Sequence, residues 1–184
     1  MDKLQSKYNA YLSEAVSRVG NEYYKIKTTY GEIVRERVFC YEFYHQLRLL
    51  QKRFSLDELS LSAEIDKRGH QEIRTSEQRN PDLIFHKYGE FESNEIIIEV
   101  KGKNDHRGIR KDFETLNIYM KNYRYRFAYF ILYNYSCADF FETFQESFDT
   151  EKRRELIENE NITIICKKNY NSKCEIFKLN ELHS

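Results

Sequence analysis

The sequence predicts an α/β domain with a central mixed β-sheet flanked by helices. Three observations carry that prediction. Two long segments repeat apolar residues at helical spacing. The run Phe127-Ala-Tyr-Phe-Ile-Leu-Tyr133 is continuously apolar over a strand's length, as a strand covered on both faces must be. The elements also fall in the order helix, three strands, helix, strand, helix, strand, strand. Strands joined by short links pair antiparallel, whereas strands joined through a helix run parallel, so the sheet is mixed.

Taken in order, residues 2–18 read as a short helix. Residues 30–54 read as a long one, because Cys40, Phe43, Leu47, Leu50 and Phe54 form a single stripe. Residues 59–65 alternate apolar and polar and read as a half-buried strand, although Ser55 and Glu58 also fit a capping box that would shift its start. Residues 83–86 and 96–101 are two further strands. Gly102 and Gly108 bracket a charged loop, after which Ile109, Phe113, Leu116 and Met120 recur at helical spacing. The run 127–133, a helix carrying Phe140, Phe144 and Phe148, and strands over 162–166 and 174–178 complete the chain. No repeat, linker or low-complexity stretch divides the 184 residues. The expectation is one domain over 1–184, with a helical extension at 1–29 and a core at 30–184.

Composition narrows the function. Charged residues make up 33% and apolar residues 40% of the chain, as in soluble globular proteins. No run of eighteen apolar residues occurs, so no membrane span is expected. The start has no basic-then-apolar signal pattern, and a cytoplasmic location is expected. The four cysteines are scattered without a CxxC pair, which points to free thiols rather than to zinc or disulfides. No glycine-rich phosphate loop is present, which removes nucleotide kinases and dinucleotide-dependent dehydrogenases. The formal charge is zero, so any nucleic-acid partner must be held by a local basic patch.

One constellation bears chemistry. Residues two apart in a strand project from the same face, so Ile97, Glu99 and Lys101 oppose Ile96, Ile98 and Val100. Glu99 and Lys101 thus end an apolar strand on one side. Asp82 opens the preceding strand, directly after Pro81, the only proline in the chain. Antiparallel pairing of the two strands would bring Asp82 beside Glu99. Two carboxylates and a lysine on a rigid sheet are what phosphodiester hydrolysis requires: a cage for a hard divalent cation, and positive charge for the phosphate.

Pro81-Asp82, a gap, then Glu99-Val100-Lys101 after an isoleucine run resembles the PD-(D/E)XK, or restriction endonuclease-like, superfamily. The element order from residue 30 to about 166 is similar to that family's core. Ala63-Glu-Ile-Asp-Lys-Arg-Gly-His70, followed by Pro81-Asp82-Leu-Ile-Phe-His86, looks like its small bacterial members. The resemblance implies a nuclease that uses Mg2+ or Mn2+ and acts on nucleic acid, DNA by preference. It implies Asp82 and Glu99 as metal-binding acids, the Val100 carbonyl as a further ligand, and Lys101 as the residue that assists the attacking water. It also implies an acid from the first core helix, matched by Glu42, and Glu64 as a further acid.

Bland readings stand beside these. Glu42 lies at the edge of its helix's apolar stripe, where a solvated glutamate fits equally well, and Glu64 lies on the polar side of its strand. Lys103, Arg107, Arg110 and Lys111 would suit phosphate contacts, or form a solvated loop and helix face. His45, His70, His86 and His106 lack metal-ligand spacing. The alternative function is a catalytically inactive nuclease-fold module that binds nucleic acid or a protein. A lone nuclease domain would also need a homodimer or protein partner for target choice.

Overall fold

The structure, a computed structural model, describes residues 3–63, 80–87 and 94–183. It is α/β. Helix α1 (Lys3–Arg18) leads through a 3-10 turn (Asn21–Tyr23) into a hairpin, β1 (Ile26–Thr28) and β2 (Gly31–Ile33). Helix α2 (Glu36–Gln51) follows, then β3 (Ser60–Ala63), β4 (Leu83–His86) and β5 (Asn94–Lys101). Helix α3 (His106–Asn122) joins β5 to β6 (Phe127–Tyr133), and α4 (Cys137–Ser147) with α5 (Thr150–Ile157) joins β6 to β7 (Ile162–Lys167). Strand β8 (Glu175–Lys178) and a 3-10 helix (Leu179–His183) end the described chain.

Strands β3 to β8 form one six-stranded sheet in sequence order. The pairs β3–β4, β4–β5 and β7–β8 are antiparallel, and β5–β6–β7 are parallel. The mixed sheet and its division therefore follow the sequence expectation. Every residue of β6 is buried, because helices cover the sheet on both faces. On one face α1 and α2 pack over Leu83, Phe85, Ile96, Ile98 and Val100. On the other, α3, α4 and α5 pack over Ile84, Ile97, Phe130 and Ile164.

Three expectations need correction. The first core helix does not begin at residue 30. Thr29 and Tyr30 turn the β1–β2 hairpin, and Gly31, which opens β2, has φ 114°, a left-handed conformation that favours glycine. Second, α1 is no mere extension: Tyr8, Tyr11, Leu12, Ala15 and Val16 are buried in the first core. Third, the strand from residue 59 begins at Ser60 and is described only to Ala63. Its alternation holds for Leu59 and Leu61, both buried between half-buried Ser60 and Ser62, and breaks at Ala63, which is exposed. Helix α5 was not expected; its start is fixed by Asp149, whose side chain accepts from the Lys152 N–H. All four cysteines are free. No described helix is long and apolar enough to cross a membrane.

Candidate active site

The geometry at the β4–β5 pair follows from register. Leu83 pairs with Ile98, so the next antiparallel step sets Asp82 opposite Glu99. Alternation puts Asp82 on the face of Ile84, and Glu99 on the face of Ile97, which is the same side of the sheet. The two carboxyl groups hydrogen-bond to one another. Asp82 Oδ2 also accepts from the Val100 N–H at 2.7 Å.

Burial dominates the electrostatics of this pair. Glu99 is 5% exposed. Its carboxyl is held well above the usual carboxylate range, first by desolvation and then by the charges of Asp82 and Asp112. Asp82 is raised as well, by desolvation, against the lowering effect of the Val100 N–H and the Glu99 hydrogen bond. Two buried acids in contact cannot both ionise cheaply, so burial and their mutual repulsion favour a proton held between them, on Glu99 above all.

Lys101, at the end of β5, is held by two carboxylates from two helices. Its Nζ lies 3.0 Å from Asp112 Oδ2 on α3 and 3.5 Å from Glu36 Oε2 at the start of α2. The Asp112 contact is close but poorly directed, leaving Oδ2 without a well-aligned hydrogen-bond donor among the described residues. Asp112 is 3% exposed, and burial pushes its carboxyl up to about 6 despite the lysine beside it. Desolvation works to lower the Lys101 ammonium, yet Asp112 and Glu36 raise it overall, so the lysine stays charged. Glu36 also accepts from the Gly102 N–H at 3.2 Å, tying α2 to the end of the strand.

The lysine's path depends on Gly108, in the first turn of α3. A Cβ there would lie 2.8 Å from Lys101 Cε, so only glycine lets the lysine stem run across the helix start. Asp105 caps that helix by accepting from the Gly108 N–H.

Asp82, Glu99 and Lys101 are therefore brought together. Glu42 is not brought with them; its Oε1 accepts from Gln46 on its own helix at 2.6 Å. The first core helix does send an acid to this point, but it is Glu36. Helical geometry explains the difference: Glu36 lies within about 20° of Phe43 around the helix, and Glu42 about 100° away. Glu36 thus extends the buried stripe by one turn, a signal present in the sequence. Asp112 was also missed. It sits one residue before Phe113 on α3, and nothing in its spacing marked it. Glu64 lies outside the described residues. Arg107, Arg110 and Lys111 line one open groove on α3 with Glu114, of 540 Å³. Lys103 is exposed and does not line it. His86 pairs with Ser62, at the far end of β4 from Asp82.

No protein-family model matches the chain, and neither does any curated protein or solved structure.

The donor chemistry suits a hard cation in part. Among the described residues no group of three or more His, Cys, Asp or Glu side chains is arranged to hold a metal. The Asp82–Glu99 pair offers oxygen only, and a cation that displaced their shared proton would relieve the repulsion that raises both groups. The remaining ligands would be a backbone carbonyl and water, which is how Mg2+ is commonly bound.

Proposed function

We propose that this protein is a metal-dependent nuclease of the PD-(D/E)XK type, with a restriction endonuclease-like core, that hydrolyses phosphodiester bonds of DNA. The observation that carries the reading is the contact between the Asp82 and Glu99 carboxyl groups, with Lys101 two residues further along the same strand face. An ordinary surface ion pair would have no reason to be buried or to contain two acids in contact.

In this reading Asp82, Glu99 and the Val100 carbonyl hold Mg2+ or Mn2+. The bound ion would supply Lewis-acid stabilisation of the phosphate and a more acidic water. Lys101 keeps a fixed positive charge where negative charge develops on the phosphate and where the attacking water loses its proton. Glu36 and Asp112 orient that ammonium from either side. Arg107, Arg110 and Lys111 hold backbone phosphates along α3.

The test is cleavage of plasmid, linear duplex, single-stranded DNA and RNA with Mg2+ or Mn2+, repeated with EDTA. The reading requires metal-dependent hydrolysis of DNA that EDTA abolishes. Binding of nucleic acid without cleavage under any metal would make the fold a binding module instead.

A further inference from the structure

The residues that directly follow the three parallel strands converge on one cleft of 740 Å³. Gly102 follows β5, Asn134 and Tyr135 follow β6, and Lys168, Asn169 and Tyr170 follow β7. In open α/β sheets the carboxyl ends of parallel strands are where ligands bind. The opposite wall is the β1–β2 hairpin and its approach, with Tyr24, Lys25 and Lys27. Three lysines, Lys25, Lys27 and Lys168, face two acids, Glu22 and Glu32, and Glu32 sits directly across the hairpin from Lys27.

The walls are fixed rather than loose. Buried Lys167 donates from Nζ to the carbonyl oxygens of Tyr170, at 2.8 Å, and Ser172. Ser172 is bonded in turn to Asn169. Asn134 donates from Nδ2 to the Tyr24 carbonyl at 3.2 Å, joining the hairpin side to the strand ends. Tyr170 is nonetheless 45% exposed, and the buried Tyr24 hydroxyl has no hydrogen-bond partner among the described residues. A half-exposed ring on a pinned loop, with lysines on both walls, is the composition of a stacking and phosphate-binding surface.

We infer that this cleft binds a single strand of DNA, with bases stacked on Tyr170 and Tyr135 and phosphates on Lys25, Lys27 and Lys168, and leads it across Gly102 to Lys101. A duplex does not fit this chemistry, because its bases are stacked on one another and present no free faces. The strand's destination and its being DNA rest on the nuclease reading; that the cleft takes an unpaired strand does not. The Gly102 N–H bonded to Glu36 joins the cleft directly to the carboxylates around Lys101.

The test is fluorescence anisotropy of a labelled oligothymidylate about a dozen nucleotides long, with the full chain in EDTA, so that no cleavage intervenes. Tyr170→Ala should weaken binding roughly tenfold. Lys25→Ala combined with Lys168→Ala should flatten the slope of log affinity against log salt by about 1.4, or 0.7 for each phosphate released. All three side chains are exposed, so the melting temperature should stay unchanged and serves as the folding control. Equal binding by wild type and both variants overturns the inference, as does preference for blunt duplex or for an RNA strand of the same length. If wild type cleaves DNA while the cleft variants bind and cleave like it, the cleft assignment fails and the nuclease reading stands. If the variants lose the strand but no metal supports cleavage, the nuclease reading fails and the cleft assignment stands.

Discussion

The Val100 N–H donates to Asp82 Oδ2 at 2.7 Å, across the β4–β5 boundary. The bond fixes the acid at the start of one strand to the main chain between the acid and the lysine of the next. Glu99 and Lys101 are thereby placed by strand geometry, and Asp82, in the bend just ahead of β4, by the adjoining register and one main-chain bond. The arrangement costs stability: two acids are buried in contact, and the structure supplies one ammonium and a shared proton to offset them.

Glu99→Gln should therefore stabilise the metal-free protein. The amide keeps a donor for Asp82 and removes a charge the site disfavours. A carboxyl raised in the fold contributes stability at low pH that is lost as pH rises through its folded value. The gain should accordingly grow toward alkaline pH, reaching about 1 kcal/mol or more, which is roughly 2–4 °C in a chain of this size. Thermal unfolding from pH 5 to pH 9 checks this. Equal melting temperatures across that range would remove the argument for a buried, shared proton.

Glu36 and Glu42 should behave differently although they share a helix. Glu36→Gln weakens the hold on Lys101 and the bond to Gly102, and a misplaced catalytic group can cost about a hundredfold in rate. Glu42→Gln should change activity and stability little, with any loss within about 0.5 kcal/mol. Parallel cleavage assays and melts of the two variants decide it.

Gly108→Ala tests the lysine's path. Alanine in a helix is favoured over glycine by up to about 1 kcal/mol. The added methyl would nevertheless meet Lys101 Cε, crowd the capping Asp105 carboxylate and push the ammonium away from buried Asp112. The expected result is slower cleavage with a melting temperature no higher than that of wild type. A variant as active as wild type would show that the lysine's path is immaterial.

Much of this arrangement was legible in the sequence, and the failures have physical causes. Strand alternation and the antiparallel link put Asp82, Glu99 and Lys101 together correctly, because period-two geometry leaves little choice. The stripe from Cys40 to Phe54 does not mark where the helix begins, and the structure starts it at Glu36, after the β1–β2 hairpin with Gly31 at positive φ. A start at residue 30 hides Glu36, which becomes a first-turn residue only when the helix begins there. Asp112 could not be found by pattern, since its role depends on where α3 crosses the sheet. That is a tertiary fact.

Asp112 gives a pH signature. Its carboxyl is raised from 3.8 to about 6, so folding favours the protonated form. The stability this gives is complete below about pH 4 and is lost as pH rises through about 6. Asp112→Asn removes the dependence, so its stability relative to wild type should climb across that window, by up to about 3 kcal/mol. Urea unfolding of both proteins at intervals from pH 4 to pH 7 measures the difference. A flat difference would mean that Lys101 fully compensates the buried carboxylate.

The most direct test measures Mn2+ binding and Mn2+-dependent DNA cleavage on the same preparations of wild type, Asp82→Asn and Lys101→Ala. Wild type should bind the ion and cleave. Lys101→Ala should still bind it and cleave about two to three orders of magnitude more slowly, the loss expected for one preorganised charge worth ~3–4 kcal/mol. Asp82→Asn should lose binding and cleavage together. A wild type that neither binds Mn2+ nor cleaves DNA, or an Asp82→Asn variant that does both as wild type does, would contradict the account.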